Sequence, residues 1–158
     1  MKREPCPGVT VVPMERRWIP AIASLEKECF AHPWCEETLV SELSNPTACF
    51  LVAVSDGSLI GYIGSNVIAG ECYIADLAVT EKFRRRGVAT LLLDTLCRTL
   101  VSQQAELMTL EVRKSNQKAI SLYLSFGFQT VGVRPDFYDD PNEDALIMTK
   151  YLKSKDVL

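Results

Sequence analysis

Glu111 and Tyr123 are the side chains in this sequence best placed to move protons, and Arg84-Arg85-Arg86-Gly87-Val88-Ala89-Thr90 is the segment best placed to hold an anion. Glu111 sits in an alternating run, residues 107–113. Met108, Leu110 and Val112 take one face of that run; Leu107, Thr109, Glu111 and Arg113 take the other. A carboxylate there can accept a proton from an amine, although an ordinary solvent-facing acid meets the same pattern. Tyr123 falls on the helix expected directly after this strand. A phenol of pKa about 10 can donate to a thiolate, whose conjugate acid lies near about 8.5, when held against the sulfur. Ile120 and Leu124 share its helix face, so core packing is the competing reading. A buried hydroxyl would still need a partner.

The basic segment follows an apolar strand, Tyr73-Ile74-Ala75-Asp76-Leu77-Ala78-Val79, and precedes an apolar-striped helix. Free N–H groups at a helix N-terminus point at an anion, and the helix dipole favours negative charge there. Gly87 has no Cβ and lets the backbone approach closely. The arginines add charge and forked donors. A solvated basic turn is the plain alternative. The segment lacks the Gly-Lys-Ser/Thr of a Walker A loop and the spacing of a dinucleotide fingerprint.

The elements that must position these groups read clearly. Residues 9–12 suit a first strand. Residues 15–30 carry Ile19, Ile22, Leu25 and Cys29 at helical spacing. His32-Pro33-Trp34 breaks that helix, and residues 36–43 form a second. Strands are expected at 49–54, 59–67 and 73–79, the first two joined by an Asp56-Gly57 hairpin signal. Val88, Leu92, Leu96 and Leu100 stripe the next helix. After the 107–113 strand, Ser115 or Asn116 caps a helix over 117–126, ended by Gly127. The last strands fall at 128–133 and 145–152. This order predicts one α+β domain, a mixed and mostly antiparallel sheet with helices on both faces. It spans 9–153, between tails at 1–8 and 154–158.

The chain has 158 residues, 47% of them hydrophobic, which suits a single domain with a sizeable core. Seventeen basic and 20 acidic residues leave a net charge of −3, which argues against nucleic-acid binding. No apolar run approaches the roughly 18 residues of a membrane span, and no export signal is read, so a cytoplasmic protein is expected. The six cysteines lack Cys-x-x-Cys spacing and read as free thiols. Cys29, His32 and Cys35 offer three possible ligands without an obvious fourth, so no metal is expected.

Several segments in order resemble the GCN5-related N-acetyltransferase (GNAT) superfamily. Arg84-x-x-Gly87-x-Ala89 resembles its coenzyme A pyrophosphate loop. Leu110-Glu111-Val112-Arg113-Lys114-Ser115-Asn116, Ala119-Ile120-x-Leu122-Tyr123 and Phe126-Gly127-Phe128 resemble a block of protein N-terminal acetyltransferases, most closely the RimI type that acts on a ribosomal-protein N-terminus. Ala31-His32-Pro33-Trp34 and Glu143-Asp144-Ala145-x-Ile147-Met148 are similar to two further segments of that group. The resemblance spans about residues 15–150. It implies acetyl-CoA as co-substrate and a protein α-amine as acceptor. Glu111 would be the base, directly or through water, and Tyr123 the acid. It implies cofactor binding by Leu77, Ala78, Val79, residues 84–90 and Asn116, and a peptide site walled by Trp34 and Tyr138. Phe137-Tyr138 stands where the family often has two tyrosines, and His32 where phenylalanine is common; both bear on peptide preference. Acetylation of lysines or small amines, or acyl-CoA binding without turnover, are the alternatives. The acids Asp136, Asp139, Asp140, Glu143 and Asp144 are expected in a loop, where they can steer a basic substrate.

Overall fold

The computed structural model describes residues 7–152. In chain order the elements are β1 (Val9–Pro13), α1 (Ile19–Cys29), α2 (Glu36–Leu43), β2 (Ala48–Ser55), β3 (Ser58–Ile68) and β4 (Glu71–Val79). There follow α3 (Val88–Ser102), β5 (Leu107–Arg113), α4 (Gln117–Ser125), β6 (Gln129–Tyr138) and β7 (Glu143–Tyr151). Pro7 and Gly8 turn into β1. The remainder of the expected N-terminal tail and the whole of the C-terminal one lie outside the described residues, as does Lys153.

The strands form one sheet in the order β1-β2-β3-β4-β5-β7-β6. Every neighbouring pair is antiparallel except β4 and β5, which run parallel and are joined through α3. This is the mixed, mostly antiparallel α+β sheet that the element order predicts.

Alternation along the strands makes two cores, one on each face. Leu51, Ala53, Ile63, Ile74, Met108 and Leu110 pack with Val88, Leu92, Leu93, Leu96 and Leu100 of α3 and with Ile120 and Tyr123 of α4. Phe50, Val52, Tyr62 and Ala78 pack on the opposite face against Ile19, Ile22 and Leu25 of α1 and Leu39 of α2. In β5, Met108, Leu110 and Val112 are buried while their neighbours are only partly so, as the period of two requires.

Two elements differ from the sequence expectation. The first helix begins later, because residues Arg16–Trp18 form a 3-10 turn and the α-helix starts with Pro20 in its first turn, where proline's missing N–H costs nothing. The final hairpin is longer, because the acidic segment is tied into it. Asp136 N–H donates to Asp144 Oδ1 at 2.9 Å. The Arg113 guanidinium bonds the Asp139 and Pro141 carbonyls and Glu143. Only residues 139–142 remain as the loop.

Gly61 marks a close approach of β3 to β4: a Cβ there would sit 2.9 Å from the Ala78 carbonyl oxygen. Backbone cannot yield as a side chain tip does. Gly61→Ala is expected to lower stability by about 1–3 kcal/mol, read as a reduced urea midpoint at unchanged m-value.

Candidate active site

β4 and β5 pair over three residues only, Glu71–Tyr73 with Leu107–Thr109, and then part. β4 bends there because its register against β3 shifts: Gly64 pairs with Asp76 and Ser65 with Ile74, leaving Ala75 as the extra residue of a bulge. β5 meanwhile stays paired with β7 along its whole length. A cleft therefore opens at the carboxyl ends of two parallel strands, the usual place for a ligand in such sheets. Its β4 wall is a strand edge. The Ala78 carbonyl turns toward β3, so the backbone groups of Leu77 and Val79 alternate toward the cleft. An extended ligand arm can pair with such an edge.

The basic turn leads from this edge into α3. Arg85 and Gly87 both take positive φ, 64° and 80°. Gly87 caps α3 without a side-chain hydrogen bond, so the first N–H groups of the helix, at Val88, Ala89 and Thr90, have no intrahelical partner. Arg84 is bound into the protein: its Nε donates to the Val79 carbonyl at 3.0 Å and its Nη2 to Cys29 Sγ at 3.5 Å. It fastens the turn to the end of β4. Arg85 and Arg86 are exposed, and Arg86 lies 5.4 Å over the Phe83 ring. Free N–H groups, two loose guanidinium groups and the helix dipole fit a pyrophosphate, the dipole alone contributing about 0.3–1 kcal/mol per anion.

Glu111 lies on the β5 wall, on the face opposite Leu110 and Val112. Its side chain is 8% exposed. Tyr73 donates its hydroxyl to Glu111 Oε2, and Arg134 Nε donates to Oε1 at 3.1 Å. The register explains the first bond: Tyr73 pairs with Thr109, and Glu111 lies two residues on along the same face. Burial, followed by the Glu111 hydrogen bond, pushes the Tyr73 phenol well above its ordinary range.

Tyr123 approaches from α4. Its ring is buried and meets Phe128 edge-on at 5.5 Å. Among the described residues Trp18 Nε1 is the only buried side-chain polar atom without a partner. The Tyr123 hydroxyl, for which no protein partner is found there, is thus not sealed away. Burial, then the neighbouring Tyr138 and Asp76, raise this phenol's pKa, so it is protonated at neutral pH. Asn116 Oδ1 caps α4 through Ala119 N–H at 3.2 Å, leaving its amide NH₂ to donate elsewhere.

The opposite rim is the α1–α2 loop and the β6–β7 hairpin. Trp34 leans on Phe50 with ring centroids 5.9 Å apart. Tyr138 lies under the Arg113 guanidinium at 4.4 Å, and burial ahead of Glu111 pushes its phenol up to about 12. Glu143 accepts Ser115 N–H at 2.6 Å, locking the hairpin to the β5–α4 turn; this bond holds its carboxyl below the usual range. His32 Nε2 reaches Asp140 Oδ2 at 3.5 Å, so the two rim loops meet. Cys29, His32 and Cys35 take separate partners, Arg84, Asp140 and Thr38 respectively.

Sequence reasoning missed Tyr73, Arg134, Asp76, Tyr62 and Glu26. Tyr73 and Asp76 stood in plain view within a strand quoted for its apolar residues. Glu26 stood on the buried stripe of α1, where a lone acid among Ile22, Leu25 and Cys29 was the available signal. Glu26 is fully buried; it accepts Trp34 N–H on Oε1 at 2.9 Å and the Tyr62 hydroxyl on Oε2 at 2.5 Å. The same hydroxyl stands 3.5 Å from Asp76 Oδ2. Burial first, and the Glu26 charge second, raise the Asp76 carboxyl above its ordinary value. The folded state therefore holds a proton on Asp76 that the unfolded chain has released, and stability from that proton is lost as pH rises from the ordinary carboxylate range through the raised value. Asp76→Asn should gain melting temperature over the wild type as pH rises through this window, and lose the advantage near pH 4; paired thermal melts across pH measure it.

Comparison with known proteins places this geometry. The acetyltransferase (GNAT) family profile matches residues 19–128. A Bacillus subtilis (strain 168) protein, provisionally named as a ribosomal protein bS18-alanine N-acetyltransferase, is 34% identical over 128 residues, 80% of this chain and 85% of the relative. The Escherichia coli (strain K12) ribosomal protein bS18-alanine N-acetyltransferase is 31% identical over 141 residues, 88% of this chain and 95% of its own. The crystal structure of the ribosomal-protein-S18-alanine N-acetyltransferase from Escherichia coli superposes with a TM-score of 0.85 at 29% identity, covering 92% of this chain and 95% of the other. The parted parallel strands, the basic turn and these relatives make one assignment: the chain belongs to the GNAT family of acetyltransferases, which use acetyl-CoA.

Proposed function

We propose that this chain transfers an acetyl group from acetyl-CoA to the α-amine of a protein N-terminus. The substrate named for its relatives, the N-terminal alanine of a small-subunit ribosomal protein, is the one we assign to it. We take residues 9–153 as the catalytic domain and the cytoplasm as its compartment. No helix among the described residues is long and apolar enough to cross a membrane.

The observation that carries the reading is the nearly buried Glu111 carboxylate, held by Tyr73 and Arg134 on the β5 wall of the cleft. An α-amine of pKa about 8 is mostly ammonium at neutral pH and cannot attack a carbonyl. Glu111, directly or through water, takes its proton. Two hydrogen bonds fix the carboxylate's direction, which is what a base needs before its pKa matters. Acetyl-CoA supplies the activated acyl group as a thioester. The turn at residues 84–90 holds its pyrophosphate, the Leu77–Val79 edge pairs with its amide arm, and the Asn116 amide donates to it. Tyr123 donates to the sulfur as negative charge develops there, and its raised pKa means that it always carries the proton to give. Trp34 and Tyr138 wall the peptide's entry. The transfer is direct: the amine nitrogen bonds the acyl carbon, the carbon–sulfur bond breaks, and no acyl-enzyme forms.

Acetyl transfer to a basic peptide starting with alanine and carrying an internal lysine, read by mass spectrometry, tests the reading. Modification of the free N-terminus alone is expected; modification of the lysine, or none, overturns it. Glu111→Gln and Tyr123→Phe should each lower kcat, by about 10²–10⁴-fold for the base, with the acetyl-CoA Kd little changed. Wild-type kcat in both would remove their assigned roles. Asp136, Asp139 and Asp140 remain exposed on the hairpin and steer a basic substrate. Replacing all three by asparagine should lower kcat/KM for the basic peptide at low ionic strength, with the difference fading at about 0.5 M salt.

A further inference from the structure

The site holds two acidic groups that are neutralised differently. Glu111 has a cation, Arg134. Glu26 and Asp76 have none: no ion pair reaches either among the described residues. They come from α1 and β4 and meet through the Tyr62 hydroxyl of β3, on the sheet face that also carries Tyr73 and Glu111. A phenol donates one hydrogen only. At 2.5 Å that hydrogen goes to Glu26, whose other oxygen already takes Trp34 N–H. Glu26 is then satisfied by neutral donors, and Asp76 stands beside it with Tyr62 at 3.5 Å and no N–H donor from the described residues. Asp76 is only partly buried, whereas Glu26 and Tyr62 are sealed behind it. Asp76 lies three residues beyond Tyr73, past the point where β4 leaves β5, so it stands on the β4 wall of the cleft.

A carboxylate pair withdrawn from water without a cation is costly and is relieved by a proton or by an incoming positive charge. We propose that Asp76, braced by Tyr62 and Glu26, is the seat of the substrate's α-ammonium: it releases its own proton to solvent as the cation arrives, and the carboxylate accepts the ammonium's N–H hydrogen bonds before Glu111 takes the ammonium's proton. This rests on the α-amine reading above. The seat explains why Glu111 can afford to be engaged by Arg134 and Tyr73: binding the cation and removing its proton fall to different carboxylates. It also makes the site selective for a charged terminus over a neutral one, because only a cation can take the place of the proton on Asp76.

The test compares two basic alanine-starting peptides, one with a free α-amine and one α-acetylated, by calorimetric Kd on the full chain with coenzyme A bound so that no turnover occurs. The wild type should prefer the free amine. Asp76→Asn should shrink that preference about 10-fold or more by weakening the amine peptide alone, with the acetylated peptide and coenzyme A bound as before. Tyr62→Phe, which leaves Asp76 in place but unbraced, should give a smaller loss in the same direction, and Asp76→Glu should restore part of the preference. Glu111→Gln should leave the preference intact while abolishing turnover. Unchanged preference in Asp76→Asn, while the wild type still acetylates the α-amine, overturns the seat alone. No preference in the wild type overturns the α-amine reading, and the seat with it. If Asp76→Asn cannot bind coenzyme A and has lost its fold, Tyr62→Phe decides by the same ratio.

Discussion

β4 and β5 share backbone hydrogen bonds over three residue pairs and no more, and every part of the site hangs on where that pairing stops. The bulge at Ala75 turns β4 away while β7 holds β5 straight. One side of the opening is then a strand edge with unmet backbone groups, a feature proteins usually cover. Here it is the place where an extended ligand can add. The two helices that follow the parted strands, α3 and α4, both begin at the opening, so the basic turn and the Tyr123 helix are brought to it by connectivity rather than by separate design.

The same parting sorts the side chains. Below it, Tyr73 and Thr109 are still paired, which fixes the distance from Tyr73 to Glu111 two residues further on. Beyond it, Asp76 is still paired with Gly64 of β3 but has no strand on its β5 side. The bulge matters twice: it opens the cleft, and by adding one residue it brings Asp76, rather than Ala75, to the face that carries Tyr62. A bulge is thus used to re-aim a side chain, as bulges near active sites commonly are.

Charges in the site are arranged around how each is relieved. Arg134 relieves Glu111, and Arg113 relieves Glu143 while stacking on Tyr138. Arg84, first in the basic run, is spent on the Val79 carbonyl and Cys29, leaving Arg85 and Arg86 for solvent or a ligand. Glu26 and Asp76 stand apart as the pair without a cation. The acidic segment, which by composition reads as a loose loop, is instead tied down around a short loop at 139–142 by Asp144 and Glu143, because those two acids accept main-chain N–H groups.

The sequence by itself determined the element order, the two-faced sheet and the glycine turn before α3, because each is written in local spacing: period two for β5, period 3.6 for α3, a glycine where positive φ is needed. Only the tertiary structure decided which polar residues join them. Tyr73 and Arg134 reach Glu111 across 38 and 23 residues of chain, and Tyr62 reaches Glu26 across 36. No local pattern encodes such a meeting. It depends on strand register and on a one-residue bulge, and a slip of one residue in either would turn the side chains to the other face. Glu26 shows the limit most plainly: on its helix it is one acid on an apolar stripe, and only Tyr62 of the strand packed over it and the Trp34 N–H of the following loop supply the hydrogen bonds that let it be buried.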